Sequence, residues 1–435
     1  MAGILLRKRG EGKTAKWEYR FEIAPVGGKR KYYSKSGFNT KAEASKAGTA
    51  ALNTYNNTGS VYEPSDMSVA DYFDYWLTEY CKFNIADSTY RTRETTVRLY
   101  IKPTIGQFYI KNVTTAQLQE YTNEMFQSKD FKRSYVVGII KTLKQGFKYA
   151  AQKGIIPIDP AASVSIPRQG VEFDAIKDDD DEYEEIITLT KEEVNRILGT
   201  FRKNPYQYYA MLIAYHTGLR VSEVYGLTWD CIDFNSKTIS VKRIVKKFDY
   251  ESKQGAPSRG IRGQAKTNWY LGSVKTPSSY RTIAISDTLV SELRQYKEWQ
   301  EKNREYYGEY YTKCFLKDTY TLNGKPVQQI TQSTEDLELP EANLVCVKAN
   351  GEFHGTDSMK YPSSKINKQM GIKFCFHAFR HTHATALIES GVPIKVVSER
   401  LGHANTQVTW DFYVRITKNL EVRAVDAFEQ YLKAE

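Results

Sequence analysis

Phe376-His377-Ala378-Phe379-Arg380-His381-Thr382-His383, then Leu401-Gly402-His403, then Trp410-Asp411-Phe412-Tyr413: this stretch gathers four of the six histidines in the chain, an arginine and a closing tyrosine. His377 and Arg380 stand three positions apart at a helix start, so both side chains can project from one face. Far upstream, Thr217-Gly218-Leu219-Arg220-Val221-Ser222-Glu223 offers a second arginine just after a turn. Two guanidiniums, two or more imidazoles and a phenol suit the holding of a phosphodiester while an oxygen attacks it. Each planar fork matches two phosphate oxygens, and two forks neutralise a phosphorane-like transition state. Singly, either arginine reads as a surface salt bridge; with Tyr413 they point to phosphoryl transfer.

The composition around this stretch bounds the answer. With 435 residues the chain is long enough for two or three domains. Its 26% charged and 41% hydrophobic residues describe a globular chain. No apolar run reaches the roughly 18 residues of a membrane span, and Met1 to Arg7 is too short for a secretory core, so a cytosolic protein is expected. Five widely spaced cysteines (Cys81, Cys231, Cys314, Cys346, Cys375) without a C-x-x-C pair read as reduced thiols. The net charge of +11 suggests a polyanionic partner, and most of the surplus falls early: residues 1–60 hold twelve Lys and Arg against four Glu.

In chain order, the expected fold is α+β and multidomain. A two-residue period places Trp17, Tyr19, Phe21 and Ile23 on one face of a strand and Lys16, Glu18, Arg20 and Glu22 on the other. A turn at Gly27-Gly28 leads to Lys29-Arg30-Lys31, and Thr40 with Glu43 reads as a capping box opening a helix to about Asn56. Residues 1–60 are thus a small three-stranded sheet plus helix with a basic face, either solvated or laid into a DNA groove. From 66 to 168 the period turns helical. Val69, Tyr72, Phe73, Trp76 and Leu77 form one stripe, further helices follow over 89–101, 115–126 and 135–153, and four helices make a bundle. Arg91, Arg93, Arg98, Lys141, Lys144 and Lys148 on it suit solvent and phosphate equally. Residues 169–186, with the run Asp178 to Glu182, read as a solvated acidic linker.

The third domain, 187–435, is expected to be mainly α with a small antiparallel sheet. Strands are expected at Thr238 to Val245 and near Ser273 to Ile285, separated by a polar stretch from Glu251 to Lys266 that is longer than a hairpin needs. Tyr306 to Ala342 reads as a flexible excursion or an added hairpin. After Tyr413, Leu420, Ala424, Ala427, Phe428, Tyr431 and Leu432 mark an amphipathic terminal helix.

Over Leu189 to Tyr413 these residues resemble the tyrosine recombinases, and the three-domain layout looks like the integrases of phages and conjugative transposons. The resemblance puts Arg220 on the family's first arginine. It puts Lys275, in Val274-Lys275-Thr276-Pro277-Ser278-Ser279-Tyr280-Arg281, on the hairpin lysine, His377 and Arg380 on the H-x-x-R pair, His403 on the following histidine, and Tyr413 on the nucleophile. It implies a site-specific recombinase that integrates and excises a mobile element through a 3′-phosphotyrosyl intermediate. Such an enzyme acts as a homo-tetramer on double-stranded DNA in the bacterial cytoplasm, associated with the nucleoid. Residues 1–60 would bind arm sites through Lys16, Arg20, Lys29, Arg30 and Lys31, and the bundle would meet core sites through Arg91, Arg93, Lys141 and Lys144. A host bending protein and an excision helper are the further partners the resemblance allows, and the terminal helix either closes its own core or, as the resemblance implies and we favour, docks on a neighbouring protomer.

The chemistry of the residues agrees with those roles. A phenol with pKa near ~10 needs a proton acceptor at about pH 7, a task for His377. Lys275 would protonate the departing 5′ oxygen and His403 would bond a non-bridging oxygen. The phosphotyrosyl link is close in energy to the bond broken, so no cofactor, ATP or metal is expected; no P-loop and no paired-metal carboxylate cluster occurs in the sequence. His377 and His381 are four apart, yet the Glu of a zinc protease helix does not follow His377. His216 and His354 read as structural, and Glu223 as a brace for Arg220 or for a neighbouring histidine. The competing readings are a type IB topoisomerase-like enzyme, a sequence-specific DNA-binding protein without cleavage, and a chromosome-dimer resolvase, for which the basic first domain is unnecessary.

Overall fold

In a computed structural model the described residues are 3–10, 15–26, 29–58, 67–128, 131–167, 186–248, 268–274, 279–321, 324–403, 405–407, 409 and 410. The chain forms two compact units, Met1–Glu182 and Tyr183–Glu435. Lys275, Tyr413, the Gly27-Gly28 turn, nearly all of the acidic segment 169–186, the stretch 251–266 and the terminal helix lie outside the described residues.

In the first unit β1 (Leu5–Arg9), β2 (Lys16–Val26) and β3 (Lys29–Phe38) make an antiparallel sheet in that order. Leu5 lies opposite Arg20, and Phe21 opposite Tyr33. The aromatic face of β2 meets α1 (Lys41–Thr58): Tyr19 and Phe21 are buried, and a Cβ on Gly48 of α1 would sit 3.0 Å from the Tyr19 ring. The expected capping box opens α1, with the Glu43 N–H donating to Thr40 Oγ1 at 3.2 Å and the Thr40 N–H to Glu43 Oε2 at 3.3 Å. Glu18, expected on the polar face of β2 away from the core, is buried, with Arg9 of the neighbouring strand reaching across to it at 2.5 Å.

The helical part contains α2 (Val69–Tyr75), α3 (Lys82–Asn84), α4 (Asp87–Thr96), α5 (Lys102–Ile105), α6 (Thr115–Gln127) and α7 (Arg133–Gln152). Wide π-type turns at Trp76–Cys81 and Val97–Ile101 join α2 to α3 and α4 to α5, so four helical rods result, as expected. The stripe from Val69 to Leu77 is buried. Phe73 sets its ring edge-on to Trp76 and Phe147, and a Cβ on Gly146 of α7 would collide with Phe73 at 2.3 Å. Only a bare backbone lets α7 come this close, and the Tyr72 hydroxyl uses the approach to donate to the Gly146 carbonyl at 2.6 Å.

The second unit runs α8 (Lys191–Phe201), α9 (Pro205–Thr217), α10 (Val221–Val224), β4 (Ile232–Asp233), β5 (Thr238–Val241), β6 (Arg243–Phe248), β7 (Asn268–Ser273), β8 (Arg281–Ala284), α11 (Asp287–Tyr307), β9 (Lys313–Tyr320), β10 (Pro326–Ser333), α12 (Lys360–Lys368), α13 (His377–Glu389) and α14 (Ile394–Leu401). The apolar helix α9 is its axis: Tyr208 to Ala214 are all buried, and Tyr209 stacks on Tyr296 of α11 at 4.0 Å between ring centres. Two antiparallel sheets, not one, flank the helices among the described residues, ordered β4-β5-β8 and β6-β7-β10-β9.

Two strand expectations need correction. The run Thr238 to Val245 is not one strand: it breaks at Lys242, β5 pairing with β4 and β8 while β6 pairs with β7. Alternation continues across the break, since Ile239, Val241 and Val245 are all buried, so the period carries no sign of the change of partners. Nor is Ser273 to Ile285 continuous. β7 ends at Ser273 and β8 starts at Arg281, and the intervening sequence holds Pro277, which has no N–H for a ladder. Of the two readings of Tyr306 to Ala342, the hairpin holds: β9 and β10 pair from Lys313 opposite Ser333 to Tyr320 opposite Pro326, and β10 joins the sheet against β7.

Candidate active site

Helix α9 ends at Gly218, whose φ of +69° is left-handed, and a Cβ there would lie 2.7 Å from Leu401 and 2.9 Å from His383. Glycine therefore serves both the turn and the close approach. The turn delivers Arg220 to the start of α10, where its own N–H donates to Glu223 Oε2 at 2.9 Å and its Nη1 to Glu223 Oε1 at 3.0 Å. Glu223 is 2% exposed, while the Arg220 side chain keeps 34% of its surface in solvent. This is the expected brace, and it aims the guanidinium without burying it.

A second arginine reaches the same carboxylate. Tyr280 is exposed, but the next residue, Arg281 at the start of β8, turns inward to Glu223. Arg281 Nη2 donates to Glu223 Oε2 at 3.0 Å, Nε to the Arg400 carbonyl at 2.7 Å and Nη1 to the Ser279 carbonyl at 3.2 Å. Burial opposes ionisation of Glu223, but the hydrogen bonds and charges of Arg281 and Arg220 outweigh it and hold the carboxyl below its usual range.

Helix α13 opens at His377, and Arg380 follows one turn later, 2% exposed. Each of its two terminal nitrogens commits one N–H to a carbonyl: Nη1 donates to Gly218 and Nη2 to Leu401, both at 2.8 Å. Arg380 thus ties the turn before Arg220 to the turn before His403. That second turn is also a left-handed glycine, Gly402 with φ +69°, capping α14. His403 then lies with Nδ1 2.7 Å from Thr409 Oγ1.

The electrostatics show how closely these groups converge. Burial, then the charges of His381, Arg380 and Arg220, push His377 down to about 4. Burial, then Arg380, Arg220 and Arg281, push His403 down to about 3. Arg380 itself is lowered to about 9 by burial and by Arg220, and remains a cation at neutral pH. Three guanidiniums around one carboxylate, with two uncharged imidazoles beside them, form a site with an unbalanced positive charge that suits an anion.

The other histidines of α13 are structural. His383 accepts from Arg400 Nε at 3.0 Å through Nε2 and lies 2.9 Å from the Tyr215 carbonyl through Nδ1. His381 sits 3.2 Å from the Ile187 carbonyl. Arg400 also donates to the carbonyls of Ala284 and His216, so it stitches α14 to β8 and α9. Nothing in the sequence singles out Arg281 or Arg400. Each is a lone arginine whose partners, the Ser279 carbonyl apart, are backbone carbonyls or side chains distant along the chain, and no spacing marks such contacts; for Arg281 the only signal is its place six residues after Lys275.

Of the basic residues expected to face DNA, Lys16 is exposed and bonded to Asn39, Arg20 lies 3.8 Å over the Tyr32 ring, Arg30 is 3.6 Å from Glu22, and Lys31 and Lys141 are exposed. Arg91 is half-buried. The Lys29 side chain lies outside the described residues. Arg93 and Lys144 turn inward: Arg93 covers Trp76 at 5.3 Å and bonds Gln145, and Lys144 donates to the Val164 carbonyl at 2.7 Å.

Residues 188–419, more than half of the chain, match the model of the phage integrase family. The chain belongs to the phage integrase family. Residues 68–126 match the phage integrase N-terminal SAM-like domain and 6–53 the Arm DNA-binding domain. This phage integrase family member is 26% identical over 400 residues to the tyrosine recombinase XerC-like protein of Caldanaerobacter subterraneus subsp. tengcongensis, covering 92% of this chain and 90% of that one. To the integrase of Staphylococcus phage L54a it is 20% identical over 373 residues, 84% of this chain and 93% of that one. Its fold is that of the Tn1549 transposon integrase solved with transposon right end DNA, with a TM-score of 0.57 at 20% identity over 80% of this chain and 95% of that one. A lambda integrase dimer bound to a core site gives 0.50 at 16% identity, again over 80% and 95%. The family member is a tyrosine recombinase of the phage and transposon type, a DNA-binding site-specific recombinase for integration and excision. Among the described residues no helix is long and apolar enough to cross a membrane.

Proposed function

We propose that Arg220, His377, Arg380 and His403, with Lys275 and Tyr413, cut and rejoin one DNA strand at a time. The observation that carries this reading is the clamped Arg380, joining the two turns that lead to Arg220 and His403. The Tyr413 oxygen attacks phosphorus, the phosphorus–O5′ bond breaks, and a 3′-phosphotyrosyl link forms. His377, uncharged at neutral pH, takes the phenol proton, and an anionic phosphate beside it raises its basicity. Lys275 gives a proton to the leaving 5′ oxygen, and Arg220 and Arg380 hold the non-bridging oxygens with His403. The reverse attack by a 5′ hydroxyl on another strand completes the exchange without cofactor or metal.

Residues 1–60 bind arm sites in this reading, 66–168 bind core DNA, 169–186 link them to the catalytic domain at 187–435, and a homo-tetramer assembles on the DNA. The match of residues 6–53 to an Arm DNA-binding domain supports the first of these roles. A host bending protein and an excision helper complete the assembly, in a bacterial cytoplasm. The test is covalent trapping on a nicked suicide duplex carrying the element's end. Wild-type chain should give a protein–DNA band that Tyr413→Phe lacks, with gel-shift affinity nearly unchanged, because the substitution removes one oxygen and no charge. A band that persists in the variant would place the nucleophile elsewhere.

A further inference from the structure

Glu223 is the partner of Arg220, yet a second guanidinium on that carboxylate comes from a residue that no role above includes. Arg281 meets both carboxylate oxygens, at 3.0 and 3.3 Å, and its side chain is 7% exposed. Its Nε meanwhile donates to the Arg400 carbonyl at 2.7 Å, within the last turn of α14 and three residues before His403. The bare backbone of Gly402 makes that reach available: a Cβ there would sit 2.9 Å from Arg281 Nη1. A fourth bond, to the Ser279 carbonyl at 3.2 Å, anchors the chain that follows the Lys275 segment in sequence.

We propose that Arg281 is a positioning residue for strand cleavage: through Glu223 it orients Arg220, and through the Arg400 carbonyl it sets the turn that presents His403. Four of the five N–H groups of this guanidinium are taken by the Glu223 carboxylate and two backbone carbonyls, against two of five for Arg380, so Arg281 acts through the groups it holds rather than on phosphate. Lysine cannot replace it, since one ammonium nitrogen cannot reproduce four bonds made from three nitrogens to a carboxylate and two carbonyls. The proposal rests on Arg220 and His403 holding the scissile phosphate.

The experiment uses the full chain in single-turnover cleavage of the suicide duplex, with gel-shift affinity at fixed salt and thermal melting alongside. Arg281→Met should slow adduct formation about 10²-fold while DNA affinity stays within about threefold, because loss of transition-state alignment lowers rate rather than ground-state binding. Arg281→Lys should recover only part of the rate. The double variant Arg281→Met with Glu223→Gln removes both buried charges, which keeps it foldable, and should be no slower than the slower single variant if the two residues act as one unit. A rate unchanged by Arg281→Met, or losses that multiply in the double variant, would overturn the proposal, as would rate and affinity falling together in every variant. Failure of the wild-type chain to form any adduct would overturn the cleavage reading and this one with it; a normal wild-type adduct with an indifferent Arg281→Met overturns this one alone.

Discussion

Arg380→Lys separates charge from geometry. The native guanidinium donates from Nη1 to Gly218 O and from Nη2 to Leu401 O, each at 2.8 Å, at a site 2% exposed. A lysine ammonium keeps the positive charge but has one nitrogen, so one of the two carbonyls loses its donor. A buried acceptor left without a partner costs about 1–3 kcal/mol, which for a unit of this size lowers the melting temperature by several degrees. The catalytic loss is larger. Withdrawing one preorganised donor from the phosphorus oxygens costs roughly 10² to 10³ in rate, and the freed turns ahead of Arg220 and His403 add to it. Affinity for core DNA should change little, because the number of cations facing phosphate is the same and the salt dependence follows that number. Single-turnover trapping on the suicide duplex, gel shifts at two salt concentrations and a thermal melt measure the three quantities. A variant that cleaves at nearly the native rate and melts at the native temperature would refute the view that Arg380 works as a tie between two turns.

Acid should weaken the catalytic unit for a reason visible in its histidines. His383 and His403 are pushed down to about 4 and about 3, by burial first and then by neighbouring guanidiniums. In the unfolded chain both bind protons near pH ~6.5, so their contribution to stability is complete above that pH and is lost as pH falls toward about 4 for His383 and about 3 for His403, by up to about 1.4 kcal/mol per pH unit for each imidazole. Urea melts at pH 7, 6 and 5 should show the decline, with a shallower slope in His383→Asn; equal stability at pH 7 and 5 would contradict the assignment. Gly218→Ala meets both a left-handed backbone and Leu401 at 2.7 Å, so it should cost about 1–3 kcal/mol and slow cleavage, measured by melting and trapping. A variant as stable and active as the native chain would show that the turn has another solution.

How legible each feature is in the sequence depends on how it is encoded. The H-x-x-R spacing, the Thr-Gly-Leu-Arg turn and the Leu-Gly-His turn are local patterns, and the structure brings Arg220, Glu223, His377, Arg380 and His403 together. The Thr40–Glu43 cap and the stripe from Val69 to Leu77 are local as well and stand as expected. Strand partnership is not local: Lys242 hides a change of sheet because alternation continues through it. Nor is the inward turn of Arg93 and Lys144 local, since their partners Gln145 and Val164 are set by packing and not by spacing. Arg281 is the extreme case, an arginine in a polar run two of whose three anchors, Glu223 and Arg400, lie far away along the chain.

The tie made by Arg380 bears on timing. Its partners are main-chain oxygens of the protein itself, so on the proposed reading the cradle for the phosphate needs no DNA to assemble it. On that reading the free energy of DNA association is not spent on organising cations. A socket that is always ready cannot by itself decide when a strand is cut, and that decision passes to whatever delivers the tyrosine.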